Sequence, residues 1–370
     1  MSLEKEIEAS INEIKTDSYS MSIGEVTNLY KDNDIEIFPE YQRYFRWNQT
    51  QKSDLIESII LGIPIPPIFV AQESSGKWDV IDGLQRISTI LEFVGILKKR
   101  NSEEELYEPS RMTKTKFLPS LEGKWWENKH DTTNSLSADL RRRIKRSKLD
   151  FIIIDSTTNP KAKYEMFQRL NTNSSQLTGQ EIRNCLMLMI NPEYHEMVNS
   201  LAGNDVLQGM LSLTPKFIEE QYDKELIVRY IVARSANLKE INLQQDMGIY
   251  LTEELMNLME LSSADLDQFI EDFKEVIKLL DESLGINGFK KYNSEKGDFS
   301  GGFSLSMYEV IVVGLSENYE KWKNASELEE KIKEIPFDAR FAHATTRGKR
   351  PIARFQELTN LSREIFENEN

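Results

Sequence analysis

Cysteine and histidine are scarce in this chain of 370 residues, which has one cysteine, Cys185, and three histidines. A single cysteine excludes an internal disulfide framework, and this combination also excludes a zinc site built from cysteine and histidine alone. No apolar run approaches the ~18–20 residues that a membrane-spanning helix needs. The first residues are charged and carry no apolar signal segment, so we expect a cytoplasmic protein with no membrane partner.

Basic residues are in deficit, with 46 Lys and Arg against 61 Asp and Glu and a net charge of −15. Residues 1–190 contain 26 basic and 28 acidic residues, and residues 191–370 contain the remaining 20 and 33. An acidic surface repels phosphate, which disfavours general binding of nucleic acid. A contact with DNA would need a local basic cluster, and the densest one comprises Arg141, Arg142 and Arg143 with three further basic residues up to Lys148. This cluster is typical either of a solvated helix face or of a contact with the DNA backbone.

The chain is long enough for two domains. Residues 1–190 alternate between short strand patterns and helical patterns, with a polar insertion of loops and short helices at 98–148. The strand patterns predict a hairpin of residues 68–71 and 78–81 and a buried strand at 151–154. Helices are predicted over the first fifteen residues, after a cap at Ser22, after a cap at Asn48 or Thr50 with its end at Gly62, and at 164–170. Residues 191–370 have helical periodicity almost throughout. The sequence therefore predicts an α+β fold, with a mixed α/β N-terminal domain at 1–190 and an all-helical C-terminal domain at 191–370.

The most informative segment is residues 80–89, where a predicted strand meets a helix at a glycine. A helix N-terminus presents unpaired N–H groups and a partial positive charge, which suit a phosphate group. Gly83 permits a positive φ and close approach of the backbone, and Arg86 offers a planar fork that matches phosphate oxygens. Asp82, at the end of the strand, could hold Mg²⁺ or position a water. The candidate ligand-binding residues of this segment are Asp82, Gly83, Gln85, Arg86, Ser88 and Thr89.

The same segment has a purely structural interpretation. Asp82 could cap the helix, Gly83 could only turn the chain, and Arg86 could pair with a surface carboxylate. The segment is not a Walker A loop, because the G-x-x-x-x-G-K-[ST] pattern is absent.

Four short sequence blocks, which follow one another along the chain, strengthen the ligand-binding interpretation. They are Pro39–Trp47, Leu61–Ile68, Ile81–Arg86 and Phe167–Asn184. Together they resemble the N-terminal domain family of GmrSD-type restriction systems, whose signatures include P-x-Y-Q-R, D-G-Q-Q-R and R-L-N-T followed by E-I-R-N.

This resemblance implies a fold similar to ParB and sulfiredoxin, and binding of a nucleoside triphosphate, often with hydrolysis, in bacterial defence against foreign DNA. Asp82 and Arg86 would be the catalytic residues, with Asp82 the ligand of Mg²⁺. Gln42, Arg43 and Asn171 would complete the pocket. Alternatives stay open for the first and last blocks. The aromatic residues of the first block suit core packing as well as base stacking. Asn171, in the last block, could simply end a helix.

Two features depart from the family motifs, Leu84 and the segment Asn173, Ser174 and Ser175, which stands where many relatives have glycines. Leu84 stands where the signature has its first glutamine, which removes one donor. The C-terminal half offers only His195 and His343, which is weak support for an HNH nuclease domain. Basic residues that follow His343 suit either a phosphate-facing loop or a solvated face, and they include Arg347, Lys349 and Arg350.

The favoured hypothesis is a nucleoside-triphosphate-binding module with a capacity for hydrolysis, which signals to a nuclease partner or to DNA and is compatible with a homo-oligomer. The first alternative is a DNA-binding or DNA-nicking ParB-like protein, and the second is a scaffold with a vestigial pocket. Under the favoured hypothesis, Arg86→Ala should abolish nucleotide binding and leave the thermal stability little changed.

Overall fold

The computed structural model describes residues 15–37, 47–72, 75–99, 105–155, 158, 162, 165–166, 178–235, 241–259, 263–324 and 326–367. The chain divides into two compact units, Met1–Ser175 and Gln176–Asn370. The helix at Gly179–Ile190, which the sequence placed at the end of the first domain, falls within the second unit.

The first unit contains a five-stranded mixed sheet with the order β1-β5-β3-β4-β2. The pairs β1–β5 and β3–β4 are antiparallel, and the pairs β3–β5 and β2–β4 are parallel. The strands are β1 (Thr16–Ser22), β2 (Ile35–Glu36), β3 (Ile68–Gln72), β4 (Trp78–Asp82) and β5 (Lys148–Ile154). The helices are α1 (Ile23–Lys31), α2 (Gln49–Leu61), α3 (Leu84–Val94) and α4 (Ala138–Arg146), with a 3₁₀ turn at Pro119–Leu121.

Local sequence signals account for most of these boundaries. Ser22 caps α1, Asn48 caps α2 in a capping box, and Gly62 ends α2 in the left-handed conformation. The predicted hairpin is formed by β3 and β4, and the predicted strand at 151–154 is the end of β5. The helix predicted over the first fifteen residues and the one predicted at 164–170 lie outside the described residues.

Strand β1 has no counterpart in the sequence-based prediction. Its residues 16–20 are exposed and mostly polar, so they lack the apolar alternation that marks a half-buried strand. The strand forms because all seven residues pair with β5, and it lies at one edge of the sheet.

The insertion at 98–148 contains only short elements, as predicted, and it is anchored to α2. Glu57 accepts hydrogen bonds from the backbone N–H groups of Phe117 and Leu118, both at 2.7 Å. Burial opposes ionisation of Glu57, but hydrogen bonds from Thr115, Leu118 and Phe117 outweigh it, so the pKa of this carboxyl lies below its usual value. Trp126 packs its ring edge-on against Phe93 of α3 and closes the core from this side.

The described part of the second unit is helical, as predicted, apart from one two-stranded antiparallel hairpin of β6 (Lys291–Asn293) and β7 (Asp298–Ser300). Its helices are α5 (Gly179–Ile190), α6 (Pro192–Ala202), α7 (Asp205–Leu211), α8 (Pro215–Glu219), α9 (Tyr222–Ser235), α10 (Met247–Met259), α11 (Ser263–Leu284), α12 (Leu305–Glu317), α13 (Tyr319–Trp322), α14 (Leu328–Glu334), α15 (Ala339–Ala344) and α16 (Pro351–Glu367). Helix α12 is buried almost all round and packs closely on α16. Among the described residues, no helix has both the length and the apolar character for crossing a membrane.

Candidate functional site

The predicted strand–glycine–helix turn is present. β4 ends at Asp82, α3 begins at Leu84, and Gly83 between them has φ +98°. A Cβ atom at Gly83 would lie 2.9 Å from Cγ1 of Ile68 and 3.3 Å from Nη2 of Arg86. Both the backbone conformation and the packing therefore require glycine at this position.

Helix α3 begins differently from the other described helices of the first unit. At α1, α2 and α4 the side chains of Ser22, Asn48 and Ser137 accept hydrogen bonds from first-turn N–H groups. Gly83 occupies the equivalent position of α3, and as a glycine it has no side chain with which to cap this helix. The first turn of α3 therefore has N–H donors that its own cap residue does not satisfy.

Arg86 connects three parts of the turn. Its Nη2 lies 2.7 Å from Oδ2 of Asp82, and its Nη1 donates to the carbonyl oxygens of Pro66 at 2.5 Å and Pro67 at 3.1 Å. Only 11% of the Arg86 side chain and 25% of the Asp82 side chain are exposed. The pairing with a carboxylate matches the structural interpretation of the segment. Because Arg86 has these partners, we expect its removal to lower stability rather than to leave it little changed.

Gln85 links the turn to the end of the first sequence block. Its Oε1 accepts a hydrogen bond from the backbone N–H of Trp47 at 3.3 Å, and Trp47 packs against the core of the first unit. For Trp47, core packing is therefore the better interpretation than base stacking. Gln42, Arg43 and Asn171 lie outside the described residues.

Ser88 and Thr89 do not belong to an exposed donor surface. They are 4% and 0% exposed, and the Thr89 hydroxyl donates to the carbonyl of Gln85 in the preceding turn at 2.7 Å. Their prediction as donors assumed that Leu84, Ile87 and Leu91 face the core and leave the other side of α3 to a ligand. The helix is in fact buried nearly all round, because Leu91 and Phe93, which lie on opposite sides of it at ~100° per residue, are both buried.

This turn lies within a recognisable domain. Residues 26–188 match the family model of the GmrSD restriction endonuclease, N-terminal domain. This region belongs to the GmrSD N-terminal domain family. The match confirms the resemblance drawn from the four blocks and associates the chain with restriction-type defence. Neither the curated proteins nor the solved structures contain a significant match to the chain.

The GmrSD N-terminal domain also contains a buried ion pair that the sequence did not reveal. Lys52 of α2 donates to both carboxylate oxygens of Glu92 of α3, at 2.9 and 2.7 Å. Lys52 and Glu92 are 40 positions apart, and each is a charged residue of the kind that usually lies on the exposed face of a helix. No local sequence pattern therefore indicates that they pair. The pair fixes the helix that carries the turn.

The last part of the family match ends in α5, where Arg183 is fully buried. Its Nη2 lies 2.7 Å from Glu225, and its Nε donates to Gln180 at 2.8 Å. Burial disfavours the charged form of Glu225, but Arg229 and Arg183 outweigh it and hold the pKa of this carboxyl below its usual value. Within the fourth sequence block, Arg183 therefore pairs with a carboxylate and has a structural role.

The two predicted basic clusters differ in how far their charges are paired. In the C-terminal cluster Lys349 pairs with Glu357, Arg350 donates to the carbonyl of Gln244, and Arg347 is exposed. That segment is largely held within its own unit.

In the cluster on α4, Arg141 pairs with Glu127 and Arg142 pairs with Asp139. Arg143 is exposed, with no ion pair to any described residue.

Proposed function

We propose that the N-terminal domain binds the triphosphate of a nucleotide at the turn from Asp82 to Arg86. The observation that carries this proposal is the glycine start of α3, which has no side-chain cap where the other described helices of the unit have one. Its N–H donors and the positive end of the helix dipole suit phosphate oxygens. Gly83 allows a phosphate to approach the backbone closely, because no Cβ stands in the way.

The residues of this turn suit Mg²⁺ only if the phosphates of a bound nucleotide also coordinate the ion. Asp82 uses Oδ2 for Arg86, and Oδ1 makes no hydrogen bond with a described residue. No group of three or more Asp, Glu, His or Cys side chains suited to a metal occurs in the described part of the chain. Mg²⁺ commonly binds through one or two carboxylates and substrate phosphates, so Asp82 would supply the protein ligand.

Arg86 would act at this site mainly by holding it together. Two carbonyls and a carboxylate already engage its guanidinium, which keeps the segment of Pro66 and Pro67 against the turn. Its charge still adds to the positive potential at the start of α3. Gln42, Arg43 and Asn171 stay predicted members of the pocket.

Binding is better supported than hydrolysis. Leu84, in place of the glutamine of the family signature, is 4% exposed and packs in the core, so it supplies no donor for a transferred phosphate. In a restriction-like defence system, nucleotide binding here would serve as a conformational signal to a nuclease partner.

The decisive substitution is Gln85→Glu. The added carboxylate keeps the acceptor for the Trp47 N–H and suits a helix N-terminus, so the fold should be at least as stable as wild type. A negative charge about 4 Å from a phosphate costs ~4 kcal/mol at an effective dielectric constant of ~20, so we expect a loss of nucleotide affinity of at least ~100-fold. The control is Gln51→Glu, also in the first turn of its helix, α2, where Oε1 likewise accepts a backbone hydrogen bond.

The assay is a panel of nucleoside triphosphates with Mg²⁺, measured by thermal shift and then by calorimetry. A nucleotide at 100 times its dissociation constant should stabilise wild type by ~2.7 kcal/mol. Phosphate release, measured in parallel, reports hydrolysis. Wild-type affinity in Gln85→Glu, or no shift with any nucleotide, would refute the proposed site.

A further inference from the structure

We propose that a basic groove between α1 and α4 binds the phosphate backbone of duplex DNA. The groove has a volume of about 410 Å³ and lies in the first unit. Lys31 of α1 and Lys145 of α4 line it, with Ser22, Thr27 and Asn28 as polar neighbours and Val94 as the large apolar side chain. Glu25 is the acidic residue of the lining, and its carboxylate accepts a hydrogen bond from the Tyr19 hydroxyl at 2.8 Å.

The outer face of α4 continues this groove as a run of cations. At ~100° per residue, Lys145, Arg142, Arg146 and Arg143 occupy about 160° of the helix circumference, on the side opposite the buried Ile144. All four are exposed. Six basic residues and one acidic residue between 138 and 148 give this segment a charge of +5 in a chain of net charge −15.

Most of these charges have no carboxylate partner. Arg142 pairs with Asp139 on the surface, where such a pair contributes little. Lys31, Arg143, Lys145 and Arg146 form no ion pair with any residue in the described ranges. Unpaired cations concentrated on one surface of an acidic protein indicate a partner with dense negative charge.

The lining of the groove favours nucleic acid over an acidic protein, and a duplex over a single strand. The exposed amide of Asn28 suits contacts with phosphate and sugar, whereas Thr27 is buried and donates its hydroxyl to the carbonyl of Gly24 at 2.8 Å. Protein interfaces rely on buried aromatic or arginine anchors, and single strands are bound by stacking on aromatic side chains. The groove is lined by no aromatic residue among those described.

The expected salt dependence follows from the number of unpaired cations. Four phosphate contacts give a slope of about −3.6 in log affinity against log salt, which is a ~150-fold loss of affinity between 50 and 200 mM salt. Arg143→Ala with Arg146→Ala leaves two contacts, a slope of about −1.8 and a ~12-fold loss. The double variant should bind more weakly at 50 mM salt than wild type.

The test is fluorescence anisotropy with a labelled 24-base-pair duplex in the absence of nucleotide. The control removes two exposed lysines of the second unit, Lys278→Ala with Lys296→Ala, and should keep the wild-type slope. Melting followed by circular dichroism checks folding. If the double variant fails to fold, the single variants Arg143→Ala and Arg146→Ala should each reduce the slope by ~0.9.

Three results would overturn the proposal. They are no binding to the duplex at 50 mM salt, equal slopes for wild type and the Arg143–Arg146 variant, and tighter binding of polyglutamate or single-stranded RNA than of the duplex. The inference does not depend on the nucleotide site. Nucleotide affinity of the double variant should equal that of wild type, so failure of one proposal leaves the other intact.

Discussion

Replacing Arg86 by alanine should destabilise the first unit. The loss of stability can be divided between the ion pair of Arg86 and its hydrogen bonds to two backbone carbonyls. The substitution removes the ion pair with Asp82 and two hydrogen bonds to the carbonyls of Pro66 and Pro67. Hydrogen bonds that involve a charged group contribute roughly 1.5–3 kcal/mol each, but the quarter-exposed Asp82 can regain water when its partner is lost. We therefore expect a loss of about 3 kcal/mol in the free energy of unfolding.

A double-mutant cycle separates the ion pair from the carbonyl contacts. Asp82→Asn removes the negative charge and leaves the carbonyl contacts of Arg86 in place. The coupling energy between Asp82→Asn and Arg86→Ala should be about 1–2 kcal/mol, and the rest of the Arg86 effect should persist in the Asp82→Asn background. The matched control is Arg142→Ala, which breaks a highly exposed Arg–Asp pair and should cost no more than ~0.5 kcal/mol.

Urea unfolding followed by tryptophan fluorescence suits this measurement. Four of the five tryptophans lie in the first unit, at positions 47, 78, 125 and 126, so the signal reports mainly on that unit. Two results would refute a structural role of Arg86. One is a loss of unfolding free energy in Arg86→Ala no larger than that in Arg142→Ala. The other is strict additivity of the effects of Asp82→Asn and Arg86→Ala.

Two further predictions concern the second unit. A Cβ at Gly314 would overlap the ring of Phe366 and lie 2.6 Å from the carbonyl of Ser362, so Gly314→Ala should lower the free energy of unfolding by about 2–3 kcal/mol, and an unchanged melting temperature would contradict this packing. Burial, with a smaller effect of Lys224, lowers the pKa of His195 to about 4, so the folded state keeps this ring neutral while the unfolded state takes up a proton near pH 6.5. The contribution of the neutral ring to stability is therefore complete above pH 6.5 and falls by about 3 kcal/mol on acidification to pH 4.5. The His195→Gln variant lacks this titration. Urea unfolding at both pH values should therefore show that the variant loses about 3 kcal/mol less stability than wild type on acidification.

Sequence patterns predicted the elements whose signals are local. The capping residues Ser22 and Asn48, the end of α2 at Gly62 and the hairpin before Gly83 each depend on a few neighbouring residues. Strand β1 could not be predicted in this way, because its polar residues form a strand only through pairing with β5, more than a hundred residues later.

The candidate site likewise combines features that the local sequence determines with features that depend on tertiary packing. The positive φ of Gly83 and the start of α3 follow from the local sequence. The partners of Arg86 at Pro66 and Pro67, 20 and 19 residues earlier, depend on tertiary packing, as does the burial of Ser88 and Thr89. The geometry of the turn could therefore be predicted because the local backbone decides it, whereas the exposure expected for Ser88 and Thr89 was wrong because packing on the second face of α3 buries them.

The contacts of Arg86 also change which experiment can identify the site. Because Arg86→Ala is expected to damage the turn itself, loss of nucleotide binding in that variant would follow equally from a lost ligand and from a lost scaffold. Gln85→Glu leaves the contacts of Arg86 in place, keeps the acceptor for the Trp47 N–H, adds a charge that the helix dipole tolerates, and opposes an anion at the start of α3. A stable Gln85→Glu protein that no longer binds nucleotide would therefore identify the turn as the phosphate site, whichever role Arg86 has.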